Sequence, residues 1–142
     1  MPSFERFVNE KTALIAISQS GETADVLEIL ERGKKKGAKI ISITNVETSS
    51  VARISNVVLP LNAGVEKAVA STKAATAQMA ICFLLAHADA ELRNRGIFNA
   101  GRELLRETST AINELLNPRY AEHIRAVAEK IVDRDNLFII GR

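Results

Sequence analysis

A cluster of hydroxyl and amide side chains follows the first apolar run of the chain. Residues 17–25 read ISQSGETAD and come directly after TALIA, where an apolar run gives way to an amphipathic pattern. The first turn of a helix carries unpaired N–H groups and the positive end of the helix dipole, so an anion such as phosphate is stabilised there. Hydroxyl groups add donors, and Gly21 allows a close approach of the backbone. The candidate binding residues are Ser18, Gln19, Ser20 and Thr23.

Two interpretations of this stretch stay open on the residues alone. Ser18 or Ser20 could simply cap the helix, with Glu22 and Thr23 in its first turn. Alternatively, the stretch could hold a phosphate. A phosphate-transfer loop would require the spacing G-x-x-x-x-G-K-[ST], which does not occur in this sequence. A phosphate bound here would therefore be held and not transferred.

The elements around this stretch predict a parallel sheet covered by helices, because apolar runs alternate with helical periods. Strands are predicted at residues 12–17, 39–44 and 56–59, the first of them buried. Helices are predicted at residues 22–36, 49–54, 72–95, 99–116 and 118–133. The final NLFIIGR resembles the start of another strand. Open α/β sheets bind ligands beyond the carboxyl ends of their strands, which is where the hydroxyl-rich stretch falls.

Composition argues against several classes of function. The 142 residues are 46% hydrophobic, enough for the core of a globular domain. The net charge of +2 is scattered apart from a short lysine cluster at residues 34–36, so nucleic-acid binding is not expected. The start has no signal-peptide pattern, and the apolar run 79–90 is too short for a membrane span. Cys82 is interpreted as a core residue, without a disulfide framework. We expect a cytoplasmic domain with no membrane partner.

Two stretches together resemble a known family. SQSGETAD and NAGVEKAVASTKA, the latter at residues 62–74, are similar to the sugar isomerase (SIS) domain, most specifically the first SIS domain of glutamine–fructose-6-phosphate aminotransferases. The resemblance implies an α/β fold: a three-layer α-β-α sandwich with a mainly parallel, flavodoxin-like sheet, followed by extra C-terminal helices. It implies that Val69 and Ser71 contact the sugar, although Ser71 could equally cap the following helix. It also implies that the sugar phosphate is bound by Ser18, Gln19, Ser20 and Thr23.

The resemblance further implies a division of the chain. Residues 1–98 would form a first SIS domain without its opening strand, 99–135 a helical connector, and 136–142 the opening strand of a second SIS domain. The family's Gly-Thr-Ser turn is absent, and the glutamate, histidine and lysine that the family uses for proton transfer, ring opening and imine formation belong to its second domain. A strand edge and an apolar helix without partners predict a homodimer or larger homo-oligomer, formed through residues 72–95 or 137–140.

The expected function is phosphosugar binding. The ligand would be fructose 6-phosphate or glucose 6-phosphate, and the chain would be part of an isomerising aminotransferase that makes glucosamine 6-phosphate, inactive by itself. The alternative is a stand-alone, non-catalytic module that binds or senses a phosphosugar.

Aldose–ketose isomerisation needs a base, and Glu66 is the carboxylate beside the proposed pocket. A loop glutamate of this kind could instead be solvated, or paired with Lys67 or Lys73. His87 and His123 lie in helical patterns and are interpreted as packed or solvated helix residues. Neither histidine stands near a second ligand in the sequence, so we expect no metal and no cofactor.

Overall fold

The computed structural model describes residues 5–67, 71–93 and 96–136 together with Phe138. It forms two compact units, Met1–Ile97 and Phe98–Arg142. After a short 3-10 helix at Glu5–Phe7, the first unit contains β1 (Ala13–Ser18), α1 (Ala24–Lys35), β2 (Lys39–Thr44), α2 (Ser50–Ile54), β3 (Val57–Pro60) and α3 (Thr72–Leu92). The second contains α4 (Phe98–Glu114) and α5 (Pro118–Ile131). These elements confirm the strands and helices predicted within the described ranges.

The three strands of the first unit form a parallel sheet in the order β1-β2-β3. The β1–β2 register runs from Ala13 opposite Lys39 to Ser18 opposite Thr44. The β2–β3 register ends with Thr44 opposite Pro60. Because all three strands are parallel, their carboxyl ends meet at one edge of the sheet, and the loops that start there lie side by side.

Helices cover both faces of this sheet. On one face, α1 and α2 contribute to a buried core of Ala16, Leu30, Ile40 and Val51. On the other face, α3 contributes to a buried core of Ile43, Leu61 and Ala74. Burial of apolar side chains on the two faces stabilises the layers against each other. The predicted three-layer α/β arrangement with a parallel sheet is therefore confirmed.

The predicted burial of the first strand is wrong for one of its faces. Ile15 and Ile17 are 51% and 47% exposed, although Ala16 between them is buried. Side chains alternate across a strand, so Ile15 and Ile17 lie on the side of the sheet that α3 covers only in part. Cys82 of α3 is half-buried and packs against the core on this side. The resulting groove has a volume of about 670 Å³ and is lined by Ile15, Ile17, Ile41, Cys82, Leu85, Ala86, Ala88, Asp89 and Leu92.

The second unit consists of two amphipathic helices. Pro118 is the first residue of α5, as predicted, and Asn117 caps this helix by accepting a hydrogen bond from the Arg119 N–H at 3.2 Å. The strand predicted at residues 137–140 lies outside the described residues except for Phe138, which is exposed. In neither unit is a described helix both long enough and apolar enough to cross a membrane.

Candidate functional site

The loop after β1 is held by its own serines. The Ser18 hydroxyl is buried, accepts a hydrogen bond from the Gly21 N–H at 3.0 Å and lies 3.4 Å from Thr23 Oγ1. Ser20 Oγ accepts from the Glu22 N–H at 3.3 Å. Neither serine caps α1, because Thr23 occupies the cap position and its side chain makes no capping hydrogen bond. The interpretation of Ser18 or Ser20 as the cap of this helix is therefore wrong.

At the amino end of α2, in contrast, the backbone N–H groups already have hydrogen-bond acceptors within the protein. The backbone N–H groups of residues 50, 51 and 52 donate in turn to Glu22 Oε1 at 2.8 Å, Gly21 O at 3.0 Å and Ser49 Oγ at 3.3 Å. The first-turn amides of α1 lack a comparable side-chain acceptor. Since both helices begin at the same edge of the sheet, α1 is the helix whose amino end is available to an anion.

Glu22 connects the loop after β1 to α2 and carries a negative charge at the amino end of that helix. The hydrogen bond from the Ser50 backbone lowers the pKa of Glu22 below its ordinary value, and the Ser50 side chain and the charge of Arg53 act in the same direction. The carboxylate therefore complements the dipole of α2.

Gly21 is required for close packing of the loop on the protein itself. Its φ is +68°, a conformation that favours glycine, and a Cβ at this position would lie 2.1 Å from Ser49 Oγ and 2.5 Å from Ser49 Cβ. The vacant side of Gly21 thus faces Ser49. From the sequence alone, Gly21 was expected to give a ligand access to the backbone. Its contact with Ser49 was not predicted.

Asn45, which the sequence argument did not select, joins the loops after β1 and β3. Its backbone N–H donates to Gln19 O at 3.1 Å, its Nδ2 donates to Gly64 O at 2.7 Å, and its Oδ1 accepts from the Ala63 N–H at 3.0 Å. The available signal was its position, since an asparagine directly after a central parallel strand stands at the ligand-binding edge.

A cavity of about 520 Å³ opens between these loops. Its volume is within the range of small-molecule pockets. Gln19 is the one member of the predicted phosphate-binding group that lines it, while Ser18, Ser20 and Thr23 belong to the same loop. The lining residues are Gln19, Asn45, Val46, Asn62, Gly64, Val65 and Glu66.

Ser71 does not cap α3 with its side chain, contrary to one of its two interpretations. Ser71 stands at the cap position with a left-handed φ of +54°, and its side chain makes no capping hydrogen bond. Its Oγ is buried without a hydrogen-bond partner in the described part of the chain. The Ala74 N–H donates instead to Glu66 Oε2 at 3.3 Å, so the Glu66 carboxylate serves as an acceptor for α3. Val69, the other predicted sugar contact, lies outside the described residues.

The remaining candidate side chains, those of Lys73, His87 and His123, do not line the cavity of about 520 Å³. Lys73 Nζ donates to Val65 O at 2.6 Å. His87 Nδ1 lies 2.8 Å from Phe83 O within α3, and the rings of these two residues are 4.1 Å apart. His123 is exposed on α5. The packed role predicted for His87 is thus confirmed.

Comparison with known proteins gives a consistent result. The sequence pattern of the family described as SIS domain matches residues 6–88. The glutamine–fructose-6-phosphate aminotransferase [isomerizing] of Thermotoga maritima is 42% identical over 137 residues, which are 95% of this chain and 22% of that protein. The protein of the same name from Campylobacter jejuni is 36% identical over 97% of this chain and 23% of its own length.

A solved structure supports the same grouping. The C-terminal domain of glucosamine-fructose-6-phosphate aminotransferase from Francisella tularensis superposes with a TM-score of 0.63 at 32% identity, covering 87% of this chain and 35% of that one. The present chain thus spans less than a quarter of the length of the curated relatives described above, 22% and 23%.

Proposed function

We propose that this chain, which belongs to the SIS domain family, binds a sugar phosphate at the carboxyl edge of its sheet. The observation that carries the proposal is the amino end of α1, which has no side-chain cap although the amino end of α2 beside it is fully occupied. A phosphate at α1 would accept hydrogen bonds from the first-turn amides and gain from the helix dipole.

Specific residues would bind the two parts of the ligand. Ser18, Ser20 and Thr23 belong to the loop that leads into α1, and their hydroxyls would bind the phosphate; Gln19 of the same loop lines the cavity of about 520 Å³. The sugar would extend into this cavity, towards Ser71, whose buried hydroxyl has no partner among the described residues. Val69 is assigned to the sugar from the family resemblance. The phosphate-binding group is Ser18, Gln19, Ser20 and Thr23.

The names of the relatives suggest the ligand and its context. We propose fructose 6-phosphate or glucose 6-phosphate as the ligand, bound by a chain that serves as part of an isomerising aminotransferase. The cavity is lined by amide side chains and one carboxylate, and that carboxylate, Glu66, accepts a hydrogen bond from α3. This supports binding as the contribution of the described residues.

A thermal-shift experiment tests the phosphate assignment. Either hexose 6-phosphate should raise the melting temperature, whereas unphosphorylated fructose and glucose should not. A ligand at one hundred times its dissociation constant adds about 2.7 kcal/mol to the free energy of unfolding. Thr23→Val should reduce the shift by about half, because loss of one hydrogen bond to a charged group weakens binding about tenfold and the other donors at the start of α1 remain. Thr108→Val should keep it, because the Thr108 hydroxyl donates to Leu104 O on the exposed surface of α4. Equal shifts from glucose and glucose 6-phosphate, or none from either, would refute the proposal.

We also propose self-association through the apolar groove of the first unit. Ile15 and Ile17 leave about half of their surface exposed beside Cys82 and Leu85 of α3. Exposed apolar surfaces of this kind favour association, and symmetric dimers bury the same patch in both subunits.

A further inference from the structure

We infer that Asn45 is a positioning residue that holds the sugar side of the proposed site in register with its phosphate side. The inference rests on the proposed function. Asn45 follows β2, the central strand, and makes three hydrogen bonds, to Gln19 O, Gly64 O and the Ala63 N–H, at 3.1, 2.7 and 3.0 Å. One residue therefore connects the loop after β1 to the loop after β3.

The chemistry of these contacts explains why the residue is an asparagine. A backbone N–H can only donate and a backbone carbonyl can only accept, so Ala63 and Gly64 together require one acceptor and one donor. The carboxamide of Asn45 supplies both. The last backbone link between β2 and the chain after β3 is Leu61 N–H to Thr44 O at 3.0 Å. The Asn45 side chain continues this pairing where the strands have ended.

The loop after β3 needs such support because its backbone is irregular. Asn62 and Gly64 both have positive φ, +51° and +69°. The far half of the loop is fastened to α3, through Lys73 Nζ to Val65 O and through the Ala74 N–H to Glu66. Its near half is fastened by Asn45. Loss of the Asn45 side chain should therefore loosen the near half alone, while the backbone hydrogen bond to Gln19 O remains, and so change the distance between Gln19 and the loop after β3.

Two substitutions separate this role from a general effect on the fold. Asn45→Asp has the same shape and keeps the acceptor for Ala63, but it brings a carboxylate oxygen against Gly64 O, so two acceptors face each other. The matched control is Asn56→Asp. Asn56 Oδ1 accepts from the Ile40 N–H at 2.8 Å, at the amino ends of the strands and thus at the opposite edge of the sheet.

The experiment is a titration of the 142-residue chain with inorganic phosphate and with glucose 6-phosphate, followed by calorimetry or amide NMR signals. The new charge of Asn45→Asp should weaken the binding of both anions, but glucose 6-phosphate should be weakened about tenfold more than inorganic phosphate, because only the sugar depends on the loop after β3 and one or two of its hydrogen bonds are lost. Asn56→Asp should leave the ratio of the two affinities unchanged. An unchanged ratio in Asn45→Asp, whether both ligands weaken equally or neither weakens, would overturn the inference.

A ligand-free measurement distinguishes failure of the inference from failure of the proposed function. Asn45→Ala removes the acceptor of the Ala63 N–H, so hydrogen exchange at Ala63 should accelerate more than exchange at the β2 amides. A wild-type chain that binds neither phosphate nor glucose 6-phosphate would refute the proposed function. Exchange at Ala63 that is no faster in Asn45→Ala would refute the positioning role by itself.

Discussion

Replacing Gly21 by alanine should destabilise the first unit far more than the same change at Gly64. The two glycines have nearly the same backbone conformation, with φ of +68° and +69°. Their surroundings differ. A Cβ on Gly21 would lie 2.1 Å from Ser49 Oγ, whereas the nearest atom to a Cβ on Gly64 is Lys73 Nζ at 4.0 Å. The pair therefore separates the cost of the left-handed backbone from the cost of a steric clash.

The expected magnitudes follow from these surroundings. A left-handed conformation costs an alanine about 1–2 kcal/mol, and the lower entropy of the unfolded chain returns about 0.4–1 kcal/mol. Gly64→Ala should thus lose about 1 kcal/mol or less. At Gly21 a clash with a close-packed neighbour adds about 1–3 kcal/mol. Displacement of Ser49, whose hydroxyl caps α2, adds about 1 kcal/mol more. Gly21→Ala should therefore lose about 3 kcal/mol or more.

Urea unfolding followed by circular dichroism measures both losses, and hydrogen exchange at the β2 amides assigns them to the first unit. The double variant Gly21→Ala/Ser49→Gly should recover part of the loss, because it removes the side chain that the new Cβ meets. Equal losses in Gly21→Ala and Gly64→Ala would refute the packing of Gly21 against Ser49.

Two further predictions concern charge and association. The hydrogen bond from Ser50 lowers the pKa of Glu22, so the stability it adds is present above the ordinary value of 4.5 and is lost as the pH falls through the lowered pKa. Unfolding measurements should show wild type more stable than Glu22→Gln at neutral pH, with the difference vanishing in acid; a difference that persists in acid would contradict this. Light scattering at low micromolar concentration should show more than the 15.5 kDa monomer. Ile15→Glu should reduce the assembly and Val57→Glu, at a site 50% exposed outside the groove, should not; a wild-type monomer would contradict the proposed association.

The strands and helices were predictable because their side chains follow a period. β2 lies at its predicted residues, and the β-α alternation indicated helices on both sides of a parallel sheet. The start of α1 was less predictable. The helix begins at Ala24 and not at residue 22, because Thr23 has an extended backbone and occupies the cap position, while the side chain of Glu22 bonds to Ser50, a residue 28 positions away. The exposed face of β1 was missed for a related reason, since Ile15 and Ile17 are as apolar as core residues and local sequence does not say what covers them.

The loops of the proposed site were predicted from the sequence, but the hydrogen bonds between them were not. The sequence indicated the loop after β1 and the loop before α3, since both follow or precede periodic segments. The roles of Asn45 and Glu66 depend on backbone groups that only the sheet register brings near them. Serine is a common capping residue, but Ser71 has a left-handed backbone and makes no capping hydrogen bond. The Glu66 carboxylate accepts the hydrogen bond from the Ala74 N–H instead. Contacts of this kind do not follow a periodic pattern of residues, so they cannot be predicted from the sequence in the way that strands and helices can.

The three helices of the first unit all begin at the carboxyl edge of the sheet, and the way their amino ends are satisfied indicates where an anion binds. Glu22 brings a carboxylate to α2, and Glu66 brings one to α3. At each of these ends a carboxylate of the protein already accepts a hydrogen bond from a first-turn amide, which leaves fewer amides for a phosphate. Asp25 also stands in the first turn of α1 and is exposed like Glu22, but among the described residues its carboxylate accepts no hydrogen bond from the amides of that turn. A phosphate arriving at this edge therefore meets free amides and hydroxyls at α1 and fixed carboxylates at its neighbours. The same carboxylates that complete α2 and α3 would thus leave α1 as the end at which the proposed phosphate binds.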